Sequence, residues 1–397
     1  MPAADPTAAK QDQAGLMGPD QPQRNGAALP VLHAAFALTG LFQAIGGALL
    51  PSLAPAFHMN DAQSGLLYLL YFIGTAVGAL LCVDRYAQLM AAGFLLAAFS
   101  CAGIATAQEA WLMPLFFALG VGIGMPMSAV SIFAGRKFGE RSAAPLTFLN
   151  FSWSAGALLA PLMAAQVLRV HTYRAAYAGL CVAALVAGVA CLLVLRDPPA
   201  RPAPEAQSGL RNVRWIALFA VLTFLEVGIE NTTATWLATF ALRSSGAAPA
   251  LAAASSSLYW CGFLISRGLF ALVLLRRDPR RVLRGAVIAA TAAAALLVAM
   301  PGPVERGLAM LVLGAALAPI FPLLLARFFA RARRASDSRW VLSVCGFGGS
   351  VLPWLTGWIS ATSTLRTGLA TVPAALVCIL AMLPATGRAD TAGERAI

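Results

Sequence analysis

Three ionisable side chains stand inside otherwise apolar stretches of this sequence: Glu226 and Glu230 in the stretch 215–241, and Arg267 in the stretch 251–275. A charge held at the centre of a bilayer costs about 2.5–3.5 kcal/mol on insertion scales, so each of them needs a reason to be there. Two glutamates four residues apart share one helix face. At a 1.5 Å rise per residue, both lie within ~3 Å of the middle of their stretch. Arg267 falls ~6 Å from the centre of its own stretch, on the same side as Glu226 and at a similar depth. The chemistry this permits is proton or cation handling. We expect Arg267 to pair with Glu226, leaving Glu230 to take up a proton or meet a substrate. The competing expectation is an ion-pair network that only ties two helices together.

Other chemistries find little support. The histidines His33, His58 and His171 are far apart, and no Ser-His or His-x-x-His arrangement appears. The seven cysteines fall in or beside apolar stretches, and none forms a C-x-x-C pair. They read as small buried residues. No nucleophile–base pair, cofactor motif or metal cluster is evident, so an enzyme is not expected.

The elements that must position these side chains are membrane spans. The chain has 397 residues, 59% hydrophobic and only 11% charged. Soluble domains carry roughly 25% charged residues. A hydrocarbon core ~30 Å thick needs ~20 apolar residues of helix. On that rule twelve spans fall near 31–54, 62–82, 87–107, 111–134, 144–168, 175–195, 215–241, 251–275, 282–300, 308–328, 340–361 and 366–384. The expected organisation is a disordered tail (1–29), a six-helix bundle (30–195), a linker (196–214), a second six-helix bundle (215–385) and a second tail (386–397).

With both termini on one side, that side collects twenty-two Lys and Arg residues against five on the other. Positive residues stay in the cytoplasm, so both termini are expected there, with the protein multi-pass in the cell (inner) membrane. The formal charge of +12 therefore reports orientation and contact with lipid headgroups, and no nucleic-acid partner is implied. Trp111, Trp215 and Trp340 sit at span ends, where interfacial anchors belong.

The halves repeat. A shift of 192 positions takes Arg85 to Arg277, Arg141 to Arg333, Gly156 to Gly348 and Pro161 to Pro353. Duplicated bundles are common in transporters. Gly120, Gly122 and Gly124, and the run Gly346, Gly348 and Gly349, are expected to let helices approach closely.

Several local patterns add to this layout. The stretch Gly78 to Asp84-Arg85 is similar to the G-x-x-x-D-R signature of the major facilitator superfamily, although Tyr86-Ala87-Gln88 departs from it. Four patches resemble the fucose permease-like branch of that superfamily. They are Gly78–Arg85, Asn150 through Trp153 and Gly156 to Pro161, Phe224 through Glu226, Glu230 and Asn231 to Trp236, and Trp260 to Arg267. The resemblance implies an all-α membrane fold of twelve transmembrane helices in two pseudo-symmetric six-helix bundles. It further implies a monomer that moves a small solute by alternating access, coupled to protons (or sodium), with Asp84 and Arg85 in a gating loop. It places helices one, four, seven and ten around a central cavity. The substrate-binding candidates are then Gln43, Asn150, Trp153, Asn231, Trp236 and Trp260, with the Met125–Ser128 stretch and the Pro319–Pro322 break. Where the branch carries acids in helices one and four, this chain has Gln43 and no acid. Coupling therefore falls to Glu226, Glu230 and Arg267.

Amides and a Trp face suit a hydroxylated ligand, so the leading expectation is a proton-coupled sugar symporter without a cofactor. The alternative is a proton-coupled antiporter exporting organic cations or drugs, in which proton and cation compete for one carboxylate.

Overall fold

Lipid selects the structure before any tertiary contact forms. Without water to satisfy its peptide groups, an apolar chain in a bilayer closes its hydrogen bonds within each segment. The computed structural model describes residues 21–81, 85–138, 143–197, 213–274, 277–330 and 335–386. Among the described residues the regular elements are all helices. The first half contains α1 (Gln21–Ala56), α2 (Asp61–Leu80), α3 (Tyr86–Thr106), α4 (Glu109–Phe138), α5 (Ala143–Val170) and α6 (Tyr173–Val194). The second contains α7 (Val213–Ser245), α8 (Pro249–Leu274), α9 (Pro279–Ala299), α10 (Pro303–Leu317), α11 (Ile320–Phe329), α12 (Ala335–Thr362), α13 (Leu365–Leu369) and α14 (Thr371–Met382).

Spans one to nine are α1 to α9. The tenth span is α10 and α11, broken at the Pro319–Pro322 site where the missing proline N–H groups interrupt the ladder. The eleventh is α12, and the twelfth is α13 with α14. Local chemistry sets the ends. Asn60 and Gln63 form a reciprocal capping box at the start of α2, and Asp278 accepts from Arg280 N–H beside Pro279 at the start of α9. Large apolar side chains face outward, among them Phe99, Val186, Leu193 and Val312. Hydrocarbon, unlike water, imposes no penalty on them.

Both halves use one packing scheme. In the first, α5 lies on α1, α2 on α4, and α3 on α4 and α6. In the second, α12 lies on α7, α8 on α10, and α9 on α10 and α14. The matched glycines occupy matched contacts. A side chain at Gly156 would strike the carbonyl of Ala37 on α1, and one at Gly348 would strike the carbonyl of Phe224 on α7. Gly120 and Gly124 likewise touch the carbonyls of Tyr71 and Thr75 on α2, and Gly122 meets α3 at Gly93 and Ala97. Of the expected interfacial tryptophans, Trp111 and Trp340 are exposed, but Trp215 is buried, its ring 4.5 Å from that of Phe219. Asp84, most of the linker (198–212) and the tails (1–20 and 387–397) lie outside the described residues.

Candidate functional site

The odd-numbered spans run from the end of the bundle that carries the linker toward the opposite end, here the far end. Glu226 and Glu230 stand near the middle of α7, as their spacing requires. Glu226 is fully buried, and neither of its carboxylate oxygens has a hydrogen-bond partner. Glu230 is half-buried. Both lie within electrostatic reach of Arg267 and of Tyr259 on α8, and of Cys345 on α12.

Arg267 does not make the expected ion pair with Glu226. Its guanidinium donates to Ser154 Oγ on α5 at 2.8 Å, with a longer contact to the Asn150 carbonyl at 3.4 Å. It lies 4.7 Å from the Phe263 ring and 5.8 Å from the Trp153 ring, within cation–π range. The difference has a physical reason. Depth along the bilayer matched Arg267 to Glu226, but rotation of α8 turns the side chain across the seam onto α5 of the other half, where the Ser154 hydroxyl and the Trp153 ring receive it, with Phe263 of α8 on its own side. Ser154, fully buried and itself bonded to the Asn150 carbonyl, was not foreseen. A serine in a membrane helix gives no sequence signal of a charged partner.

Gln43 and Asn231 also meet across the seam. Gln43 Nε2 donates to Asn231 Oδ1 at 3.1 Å, joining α1 of the first half to α7 of the second. Trp153 and Trp260 pack edge-to-face across α5 and α8, with ring centres 5.8 Å apart. Toward the far end the halves close on small residues. A side chain at Gly47 would strike the carbonyl of Ala234, and Gly65 lies against Trp354 and Gly357 of α12.

At the far end itself sits a cross-half lock. Both terminal guanidinium nitrogens of Arg243 donate to Asp61, each at 2.6 Å, and Ser360 of α12 donates to the same carboxylate. Asp61 belongs to α2 and Arg243 to α7, so one carboxylate holds three helices from both halves. The sequence shows only an acid beginning one span and a base ending another on the same side. That shared side was the available signal.

The remaining candidates separate. Trp236 has no exposure, and its indole N–H donates to the Pro353 carbonyl at 3.0 Å within the second half. Its ring is taken up in tying α7 to α12. Asn150 is exposed on α5. Pro126 and Met125 pack against Gly93 of α3. Of the signature loop, Arg85 is described and precedes α3 without a side-chain capping bond. The first turn of α3 is instead held by Asp197, which accepts from Ala87 N–H at 2.8 Å.

The fold, two six-span halves packed against each other, is found in known transporters. The sequence profile of the Major Facilitator Superfamily matches residues 32–353. A bacterial homologue of the human lysosomal transporter Spinster, inward-facing and occupied, superposes with a TM-score of 0.76 at 13% identity, over 92% of this chain and 97% of that one. A D-xylose–proton symporter gives 0.73 at 13% identity, over 91% and 97%. The fucose:proton symporter FucP of E. coli gives 0.61 at 18% identity, over 90% and 98%. No curated protein matches the chain in sequence.

Proposed function

The chain belongs to the major facilitator superfamily and is a transporter rather than an enzyme; from that premise, we propose that it carries a small polar solute, a sugar by preference, in symport with protons. Both termini then lie in the cytoplasm, and the far end faces outward. The observation that carries the reading is the charge balance of the buried cluster. One guanidinium, Arg267, stands near two carboxyls, and it is hydrogen-bonded to the opposite half instead of to either of them. A single positive charge does not offset two negative ones out of water. One carboxyl is therefore the place of the proton, and Glu230, the more accessible, exchanges it.

The cluster also touches the moving parts. Ionising Glu230 draws Arg267 toward α7 and away from Ser154, which loosens the α5–α8 seam. Proton release and movement of the halves are thereby linked, as alternating access requires. The solute meets Gln43 and Asn231, whose amides bond hydroxyls, and the Trp153–Trp260 pair, which covers an apolar sugar face.

The two carboxyls of the cluster, with the Trp153 ring already within cation–π range of the Arg267 guanidinium, also favour a second reading, an antiporter for organic cations. Proteoliposomes holding a pH dye test both. If external sugar drives protons inward with wild type and not with Glu230→Gln, the symporter stands. If external cations drive protons outward, the antiporter replaces it. Unchanged coupling in Glu230→Gln removes the proton role of that residue.

A further inference from the structure

Gln43 faces two ways, and the hydrogen-bond geometry dictates which end points where. Asn231 Nδ2 donates to the Val227 carbonyl of its own helix at 2.9 Å. Its Oδ1 is therefore the atom turned toward α1, and it can only accept. Gln43 must present Nε2 to it, at 3.1 Å. The Gln43 Oε1 atom is then directed away from the seam, into the first half, where it is buried with no protein partner.

Gln43 lines a cavity of about 10 Å³ between α1, α2, α4 and α6. Three tyrosines line the same cavity: Tyr68, Tyr71 and Tyr177. Each is at most 3% exposed, and each hydroxyl is buried without a protein partner. The rest of the wall is apolar, with Phe42, Phe116 and Leu119 among it. Four residues lining one small space, each with a buried polar atom that has no partner, form an unusual grouping. Buried polar groups are nearly always paired, and an unpaired one costs on the order of its full desolvation penalty.

We propose that this cavity is a binding site for a single neutral hydroxyl group. Gln43 Oε1 requires a donor, and the three phenols offer and accept hydrogen bonds. A water-sized group that both donates and accepts satisfies all of them together. The volume is close to the ~10–15 Å³ that one water needs. No carboxylate or basic side chain lines the wall, so an ion there would lie buried without a counter-charge, which is costly. The hydroxyl comes either from water or from an alcohol group of the transported solute, reaching in past Gln43. The second source rests on the transport reading above, and the first does not.

The site also bears on the seam. A ligand hydroxyl donating to Oε1 holds the Gln43 amide in the one orientation that keeps Nε2 on Asn231. Filling the pocket therefore supports the bond between the halves.

The test uses the sign of a stability change. Tyr68→Phe, Tyr71→Phe and Tyr177→Phe are made singly in the full chain, and melting midpoints in detergent are compared at one scan rate. A phenol that binds nothing gains from losing its hydroxyl, whereas a phenol that binds a ligand hydroxyl loses by it. We expect the midpoint to fall in at least two of the three variants. A rise or no change in two or more overturns the proposal. Xylose and fucose are then added as probes. A midpoint gain in wild type that disappears in Tyr71→Phe assigns the hydroxyl to the solute. A gain retained in the variant, or absent from both, assigns it to water. Gly46→Ala gives an independent check, because its methyl would come within 2.8 Å of the Tyr68 hydroxyl. If the site is real, this crowding abolishes the effect of Tyr68→Phe; an undiminished effect counts against it.

Discussion

Replacing Asp61 by Asn keeps the size of the side chain and the partner on α12 but removes the charge that holds Arg243 across the seam. The pair is bidentate, yet the Arg243 side chain is 46% exposed against 10% for Asp61. Fully exposed ion pairs contribute about 0.2–1 kcal/mol, and hydrogen bonds to charged groups about 1.5–3 kcal/mol. A half-screened pair belongs between these, at about 1–2 kcal/mol. Since 1.4 kcal/mol is tenfold, Asp61→Asn should raise the ratio of far-end-open to far-end-closed molecules by roughly 5- to 30-fold. Spin labels at Gln108→Cys and Ala248→Cys, in the far-end loops of opposite halves, report this ratio as a distance distribution on a cysteine-free background. Added salt should move wild type part of the way toward the variant, because screening reaches the exposed side of the pair. Exchanging the charges, with Asp61→Arg and Arg243→Asp together, should restore closure. An Asp61→Asn distribution identical to wild type would refute the reasoning and leave closure to the small-residue packing at Gly47 and Gly65.

That packing makes its own prediction. Gly47→Leu would overlap the Ala234 carbonyl, so the same labels should report a far end that no longer closes, with solute-driven proton movement lost and the protein still folded. Ser154→Ala removes the cross-half acceptor of Arg267; solute-driven proton uptake in proteoliposomes should slow while far-end distances stay at wild-type values. Trp236→Phe deletes a buried hydrogen bond to Pro353, at about 1–2 kcal/mol. It should lower the melting midpoint without changing which solute is carried, whereas a change of solute preference would return Trp236 to the binding site.

Much of this protein is legible along the chain because lipid judges residues one at a time. The spans, their number and their duplicated order follow from hydropathy and charge. The proline break in the tenth span and the close-packing glycines Gly120, Gly124 and Gly348 follow from rules that need no neighbours. Glu226, Glu230 and Arg267 stand out for the same reason, since a charge in an apolar helix is conspicuous wherever the helix points.

Partners are a different matter. Spacing gives a residue's depth to within a turn, but the rotation of each helix decides which neighbour its side chain meets. Arg267 and Glu226 share a depth, yet the turn of α8 sends the guanidinium to Ser154 in the other half. Trp236 reads as a cavity residue until α12 supplies the Pro353 carbonyl that takes its N–H. Asp61 and Arg243, 182 positions apart, are ordinary end-of-span charges until two halves fold against each other. Depth, charge and small-residue spacing are properties of single helices, so the residue order alone suffices for them. Facing is a property of packed pairs, and only the packing of α1, α2, α5, α7, α8 and α12 decided it.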